Sequence, residues 1–202
     1  RMNHKSSKRR EITGIHISRI PSRHIMNNIN LEDLCFIRRL DNFDSIKQEV
    51  LDAIESMETT TCVGPVDNIS NTDYYLPNEI HRPYHNILMD KFIAHKIAMG
   101  KDDRFIFNAF KIGRIWYQQY KKGDMHGLHL HGDCAYSNVL YLELPNKEAG
   151  TKFVINGKEY LLDVSEGDIL SFPGILPHGS TYSVGGRKTV VVFNTIVGGD
   201  GD

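Results

Sequence analysis

A chain of 202 residues has room for one domain with a substantial core, and 40% hydrophobic with 24% charged residues is ordinary for a globular protein. A formal net charge of −1, from 24 Lys and Arg against 25 Asp and Glu, excludes a global field that would steer the chain to nucleic acid or an anionic membrane. No apolar run is long enough to span a bilayer, so no membrane partner is expected.

In chain order, Arg1, Lys5, Lys8, Arg9 and Arg10 form a basic cluster that reads as a solvated terminus and leaves a nucleic-acid partner open. Residues 44–58 place Ile46, Val50, Leu51, Ile54 and Met57 at helical spacing, with Asp44 available as a cap. The stretch Thr59–Pro77 is rich in Thr, Asn, Asp, Gly and Pro and reads as an irregular loop. A second helix is expected from about Tyr84 to Met99, with Ile87, Leu88, Phe92 and Ile97 as its stripe and Gly100 as its stop.

From Arg104 the pattern changes to short β-favouring runs: Phe105–Phe110, Ile115–Tyr120, Val139–Leu144, Lys152–Ile155, Glu159–Val164, Ile169–Phe172 and Thr189–Ile196. Asn156-Gly157 marks a hairpin and Gly185-Gly186 a break. The expectation is a single domain over 1–202, mainly β with N-terminal helices: a double-stranded β-helix (jelly roll, cupin-like) over 104–197. Residues 31–103 are its helical support, 1–30 an undefined N-terminal segment and 198–202 a disordered tail. Cys35, Cys62 and Cys134 are odd in number and lack zinc spacing, which suits reduced thiols in a cytoplasmic protein. Cys134 reads as a packed thiol.

The run His126-Gly-Leu-His129-Leu-His131-Gly-Asp133 carries the chemistry. If it is extended, residues 129, 131 and 133 project to one side. Two imidazoles and a carboxylate there, joined by the distant His178, are the ligand set of a non-haem Fe(II) site with open positions. Arg187 follows His178 by nine residues, and its guanidinium is a planar fork for a carboxylate. Thr189 shares its strand parity and could assist, and Tyr141 could donate a third bond. His126, His81, His85 and His95 read as surface or mouth residues, Trp116 and Tyr117 as core or barrel-wall aromatics, and Asp124 as part of a turn.

The segment from Trp116 to Asn194 resembles the Fe(II)/2-oxoglutarate-dependent oxygenase superfamily, in particular its prolyl-4-hydroxylase-like branch with small bacterial and phage relatives. The matching pieces stand in order: Tyr120-Lys-Lys-Gly123, His129-Leu-His131-Gly-Asp133, Ser137 to Leu142, Glu166-Gly-Asp168 to Pro173, Pro177-His178, Arg187-Lys-Thr189 and Phe193-Asn194. The resemblance implies His131, Asp133 and His178 on Fe(II), and Arg187, Thr189, Tyr141 and Tyr120 around 2-oxoglutarate. It further implies O2 as co-substrate and hydroxylation with succinate and CO2 as co-products. Counting from Tyr120 gives another register, in which His129 is the first ligand and His131 takes the place of the carboxylate; under the first register His129 stands behind the ligands or faces the substrate. The prime substrate is a peptidyl residue such as proline, another protein residue or a small molecule. A cupin-type metal enzyme without 2-oxoglutarate and a non-catalytic binding module on the same scaffold are the competing readings.

Overall fold

The structure, a computed structural model, describes residues 30–181 and 185–198. The basic cluster at the N-terminus and residues 199–202 of the expected 198–202 tail lie outside the described residues, while Gly198 belongs to the last strand. The described elements are α1 (Leu31–Leu34), β1 (Phe36–Arg39), α2 (Phe43–Glu55), β2 (Thr60–Val63), β3 (Asp67–Thr72), α3 (Pro83–Met99), β4 (Ala109–Tyr120), β5 (Met125–His129), β6 (Tyr136–Glu143), a 3-10 turn (Lys147–Ala149), β7 (Thr151–Ile155), β8 (Lys158–Leu161), β9 (Asp168–Pro173), β10 (His178–Ser180) and β11 (Lys188–Gly198).

The strands form one curled antiparallel sheet in the order β1-β9-β6-β11-β4-β3-β5-β10-β7-β8, with β2 on the outer edge of β3. This is the half-barrel of a jelly roll. Strand β3 makes the curl: its end, Asn71 and Thr72, pairs with β4, while its start, Asp67 and Asn68, pairs with β5. It thereby joins the five-stranded half that carries β11 to the four-stranded half that carries β5 and β10. The loop expected over Thr59–Pro77 is therefore corrected to a hairpin, built from residues of poor strand propensity that tertiary pairing overrides. Asp124 helps to hold it, because its Oδ2 accepts from the Ser70 amide and hydroxyl as well as from the Lys121 amide.

Two cores lie on opposite faces of β4, β6, β9 and β11. Ile115, Tyr117, Leu140, Leu142, Val191 and Phe193 face α2 and α3, whereas Trp116, Tyr120, Val139, Tyr141, Val190 and Val192 face the interior of the curl. Alternation is intact, but both faces are buried, so the sequence shows a continuous apolar run. On α3, Leu88 and Phe92 are fully buried, each contributing about 1.5–3 kcal/mol, and Phe92 stacks on Phe193 at 4.0 Å. The expected stripe is corrected at one point: Ile97 is half exposed and Lys96 is buried instead. Helix α2 starts from Asn42 in the left-handed conformation with no side-chain cap, and Asp44 lies in its first turn, where its charge suits the helix dipole.

Asp73 organises the entry to α3. It is wholly buried and accepts from Arg82 Nε at 2.7 Å, the Tyr84 hydroxyl at 2.6 Å and the Tyr117 amide at 2.8 Å. Arg82 also donates to the carbonyls of Leu76, Pro77 and Ile80, which pins the loop ahead of the helix. The Asn156-Gly157 hairpin stands as expected, with φ of 52° and 74°, the left-handed pair that a two-residue turn of this kind requires.

Candidate metal centre

Strands β5 and β10 pair antiparallel with His178 opposite His129 and Ser180 opposite His126. This brings residues 49 positions apart side by side. The approach is close because position 179 has no side chain: a Cβ there would lie 2.7 Å from the His126 carbonyl oxygen. Gly174 plays the same part for the segment after β5, where a Cβ would meet the carbonyl oxygens of Cys134 and His131 at 2.7 and 2.8 Å. The His131 amide donates to the Gly174 carbonyl at 2.8 Å and so fixes that imidazole beside the other two.

His129, His131 and His178 each offer a ring nitrogen to one point, and these nitrogens lie within 4.8 Å of one another. His129 Nδ1 lies 2.9 Å from the Gly127 carbonyl oxygen and His178 Nδ1 lies 2.7 Å from that of Leu176. A carbonyl only accepts, so Nδ1 carries the hydrogen in both rings and Nε2 keeps its lone pair for a metal. Burial, and then the neighbouring His129, pushes His178 down to about 3 and lowers His131 as well. Neutral imidazole is the ligating form. The Phe172 ring, 4.5 Å from that of His178, supplies part of the burial.

Asp133 is not brought to this cluster. Strand β5 ends at His129, and the chain bends at Gly132 and Asp133, which leaves the carboxylate exposed. The alternation that would have aimed it inward stops with the strand. The structure thus brings together the three imidazoles of the second register. His126, expected at the surface or mouth, is a lining residue that stacks on His129 at 4.0 Å. His95 is also corrected, being buried on the helix side with Nε2 2.8 Å from the Ser171 hydroxyl.

The expected carboxylate fork is corrected in the same way. Arg187 points away from the cluster and grips Glu143 through Nε at 2.7 Å and Nη2 at 3.0 Å, and Glu55 of α2 through Nη1 at 2.6 Å. Thr189 is on the same face and donates to Glu143 at 2.5 Å. Tyr141 is enclosed, its hydroxyl paired with that of Thr151 at 2.7 Å and its pKa pushed up to about 12 by burial. Tyr120 does line the inner cavity and donates to Gln118 Oε1 at 2.8 Å.

The residue between Arg187 and Thr189 is the one that faces inward. Lys188 is 3% exposed, and its Nζ donates to Ser180 Oγ at 2.7 Å and lies 4.9 Å from the Tyr120 ring centre. Burial lowers its pKa to about 7. No carboxylate pairs with it among the described residues. It lines the same inner cavity as the three imidazoles, as do Thr151, Ser180 and Ser137, whose buried hydroxyl has no hydrogen-bond partner there. A buried amine that an incoming anion would hold protonated, and an unanswered hydroxyl, facing a metal-competent cluster describe a place for an anion. Sequence reasoning missed Lys188 because residues 188–195 of β11 are buried on both faces and parity is invisible there. Its pairing with Tyr120, in the register that sets Val190 against Gln118 and Val192 against Trp116, reveals the face.

A second cavity, of about 240 Å³, is lined by two of the three imidazoles, His129 and His131, together with His126. Its far wall is the β2–β3 hairpin and the residues that follow it, including Asp67, Tyr74 and Tyr75. Cys62 also lines it and is 3.3 Å from the Tyr75 hydroxyl. Cys35, Cys62 and Cys134 are all unpaired, and burial pushes Cys134 up to about 11. No described helix is long and apolar enough to cross a membrane.

No protein-family model matches the sequence, and no curated protein matches it. Solved structures do share its fold. An oxidoreductase of the 2OG-Fe(II) oxygenase family from Burkholderia pseudomallei is 15% identical and superposes with a TM-score of 0.66, covering 82% of this chain and 86% of that one. A prolyl-4-hydroxylase from Pseudomonas putida is 16% identical with a TM-score of 0.59, over 84% of this chain and 97% of the other. HygX from Streptomyces hygroscopicus, solved with nickel and 2-oxoglutarate bound, is 13% identical with a TM-score of 0.63, over 81% and 83%. At these identities the likeness is one of fold: the chain has the curled sheet of 2OG-Fe(II) oxygenases, prolyl hydroxylases among them.

Proposed function

We propose that the protein is an Fe(II)- and 2-oxoglutarate-dependent oxygenase that hydroxylates a group presented through the outer cavity. The observation that carries this reading is Lys188, a buried amine with no carboxylate partner among the described residues, on the wall of the cavity that holds three convergent imidazoles. His129, His131 and His178 would hold the metal. Lys188 and Ser180 would hold the distal carboxylate of 2-oxoglutarate, and Ser137 would meet its polar body. Bound Fe(II), 2-oxoglutarate and O2 supply the oxidising power for hydroxylation, with succinate and CO2 as co-products.

The chain's own contribution is geometry and exclusion of water. The Nδ1 bonds to Gly127 and Leu176 fix two rings so that no reorientation is needed when the metal enters. Three imidazoles bring no negative charge, so charge balance falls to the dicarboxylate, and Lys188 answers its far end. The inner cavity has about 40 Å³ of free space, so the keto acid enters only as side chains turn. Lys188, the long flexible one, has to leave Ser180 to meet it. The outer cavity then stands between the metal and solvent as the entry for the prime substrate, and the fold shared with prolyl hydroxylases supports a peptidyl residue as its class.

An all-imidazole ligand set also suits a cupin-type metal enzyme that uses no keto acid. Anaerobic titration of the Fe(II)-loaded protein with 2-oxoglutarate separates the two. A visible metal-to-ligand charge-transfer band that saturates with 2-oxoglutarate is the expected result. Bound iron without that band would overturn the oxygenase reading in favour of the cupin.

A further inference from the structure

The outer cavity is distinct in chemistry from the inner one. The inner wall carries Lys188, whereas among the described residues the outer wall carries no lysine or arginine and has Asp67 as its single acid. Asp67 is held in place, accepting from the Gly127 amide at 3.0 Å with His126 Nε2 3.7 Å from the same oxygen, and its side chain stays 30% exposed. Around it stand three aromatic rings. Tyr74 meets Tyr75 edge to face at 5.1 Å and Trp116 at 5.2 Å, and Trp116 lies 6.0 Å from the His131 ring. One of them already faces a cation: Arg114, which does not line the cavity, donates to the Tyr74 carbonyl and places its guanidinium 3.9 Å from the Tyr74 ring centre. Tyr75 and Leu130 line the mouth and are each more than half exposed, so the entrance is apolar.

We infer that the outer cavity is a subsite for an organic cation, an ammonium or guanidinium carried on an apolar body, with Asp67 as its counter-charge and the rings of Tyr74, Tyr75 and Trp116 as its walls. The inference rests on the oxygenase reading for the meaning of the site and sharpens its substrate class, replacing a neutral ring such as proline with a basic group. A carboxylate at the edge of an aromatic enclosure favours a cation through both charge and ring quadrupole. A space of about 240 Å³ admits one side-chain-sized group. Such a group reaching past Asp67 enters beside His129 and His131, which line the same cavity.

Trp116 is the only tryptophan in the chain and lines both cavities, so its fluorescence reports binding at either without a label, and Asp67→Asn, which alters the outer wall alone, tells the two apart. The full-length protein is titrated with phenethylammonium and with 2-phenylethanol, its neutral counterpart, and then with acetylated, amidated Ala-Lys-Ala and Ala-Pro-Ala tripeptides. The expected result is that the cation of each pair perturbs Trp116 at a concentration roughly tenfold lower than its neutral partner. Asp67→Asn, which keeps an oxygen for the Gly127 amide, should bring that ratio to within about twofold. Stronger binding of the lysyl peptide than of the free amine assigns the cation to a peptide, and the reverse assigns it to a small molecule. Equal binding within the pairs, no binding by either cation, or a preference that survives in Asp67→Asn overturns the subsite. The charge-transfer band of the wild-type chelate is recorded on the same protein. A missing band with the cation preference intact removes the oxygenase reading and leaves the subsite standing.

Discussion

Replacing Lys188 with methionine tests where the carboxylate of 2-oxoglutarate is held. Methionine keeps most of the side chain, one atom shorter, and removes the charge. Lys188 is 3% exposed, and its hydrogen-bond partner within the described residues is a hydroxyl, Ser180 at 2.7 Å, so a carboxylate placed there would hold a desolvated amine in its ammonium form. A hydrogen bond between charged partners in such surroundings contributes about 2–3 kcal/mol. Its loss should therefore weaken the Fe(II)-dependent 2-oxoglutarate chelate by roughly 30- to 150-fold, read by anaerobic titration of the charge-transfer band. Iron binding should be unchanged, and so should the fold, because the variant also relieves the cost of burying an ammonium. Arg187→Ala is the matched control. Its side chain is 39% exposed and bonded to Glu143 and Glu55, so its removal costs about 1 kcal/mol of stability or less and leaves the chelate within about twofold. A 30-fold loss in Arg187→Ala with Lys188→Met unaffected would refute the argument from strand facing.

His129→Ala should weaken Fe(II) binding by more than about 100-fold while Asp133→Ala leaves it within about twofold; a metal-competition titration reads both, and the opposite ranking restores the carboxylate register. Asp73→Ala leaves the buried Arg82 guanidinium, the Tyr84 hydroxyl and the Tyr117 amide without their acceptor, so the urea midpoint should fall by the equivalent of about 3–5 kcal/mol. A cost below about 1 kcal/mol would mean that the network contributes nothing net. Lys96 is fully buried on the helix side against Asn138 Oδ1, Met99 and the Tyr136 ring, and burial lowers its pKa from 10.5 to about 7. Between these values the unfolded chain holds a proton that the folded one has released, so the lysine's destabilising effect is full at pH 7 and below and fades as pH rises toward 10.5. Lys96→Met should accordingly gain roughly 1–3 kcal/mol at pH 7, and the gain should shrink by pH 10, while Asn138 Oδ1 keeps its bond from the Ser171 hydroxyl. An unchanged or growing difference at high pH would contradict the burial argument.

The sequence by itself determined the class of the fold and the ingredients of its site. Turn residues at short intervals from Arg104 onward leave little but a curled antiparallel sheet, and the Asn156-Gly157 pair admits a tight hairpin wherever it lies. Three histidines within six positions, followed by Pro177-His178, are enough to raise a metal, because imidazoles rarely gather without one. What strand alternation could not decide was where alternation ends. Asp133 shares the parity of His129 and His131, yet the strand stops at His129 and the bend turns the carboxylate to solvent. Nor could it decide which face is which when both are buried: Arg187 and Thr189 do share a side, but it is the side that meets Glu143 and α2. Only the pairing of β11 with β4 turns Lys188 inward against Tyr120. The outer cavity is further still from the sequence. Asp67 and Tyr74 lie in a segment whose composition argues for a loop, far along the chain from Trp116 of β4, and the three meet because β3 bridges two halves of a sheet whose pairing is set by long-range contacts.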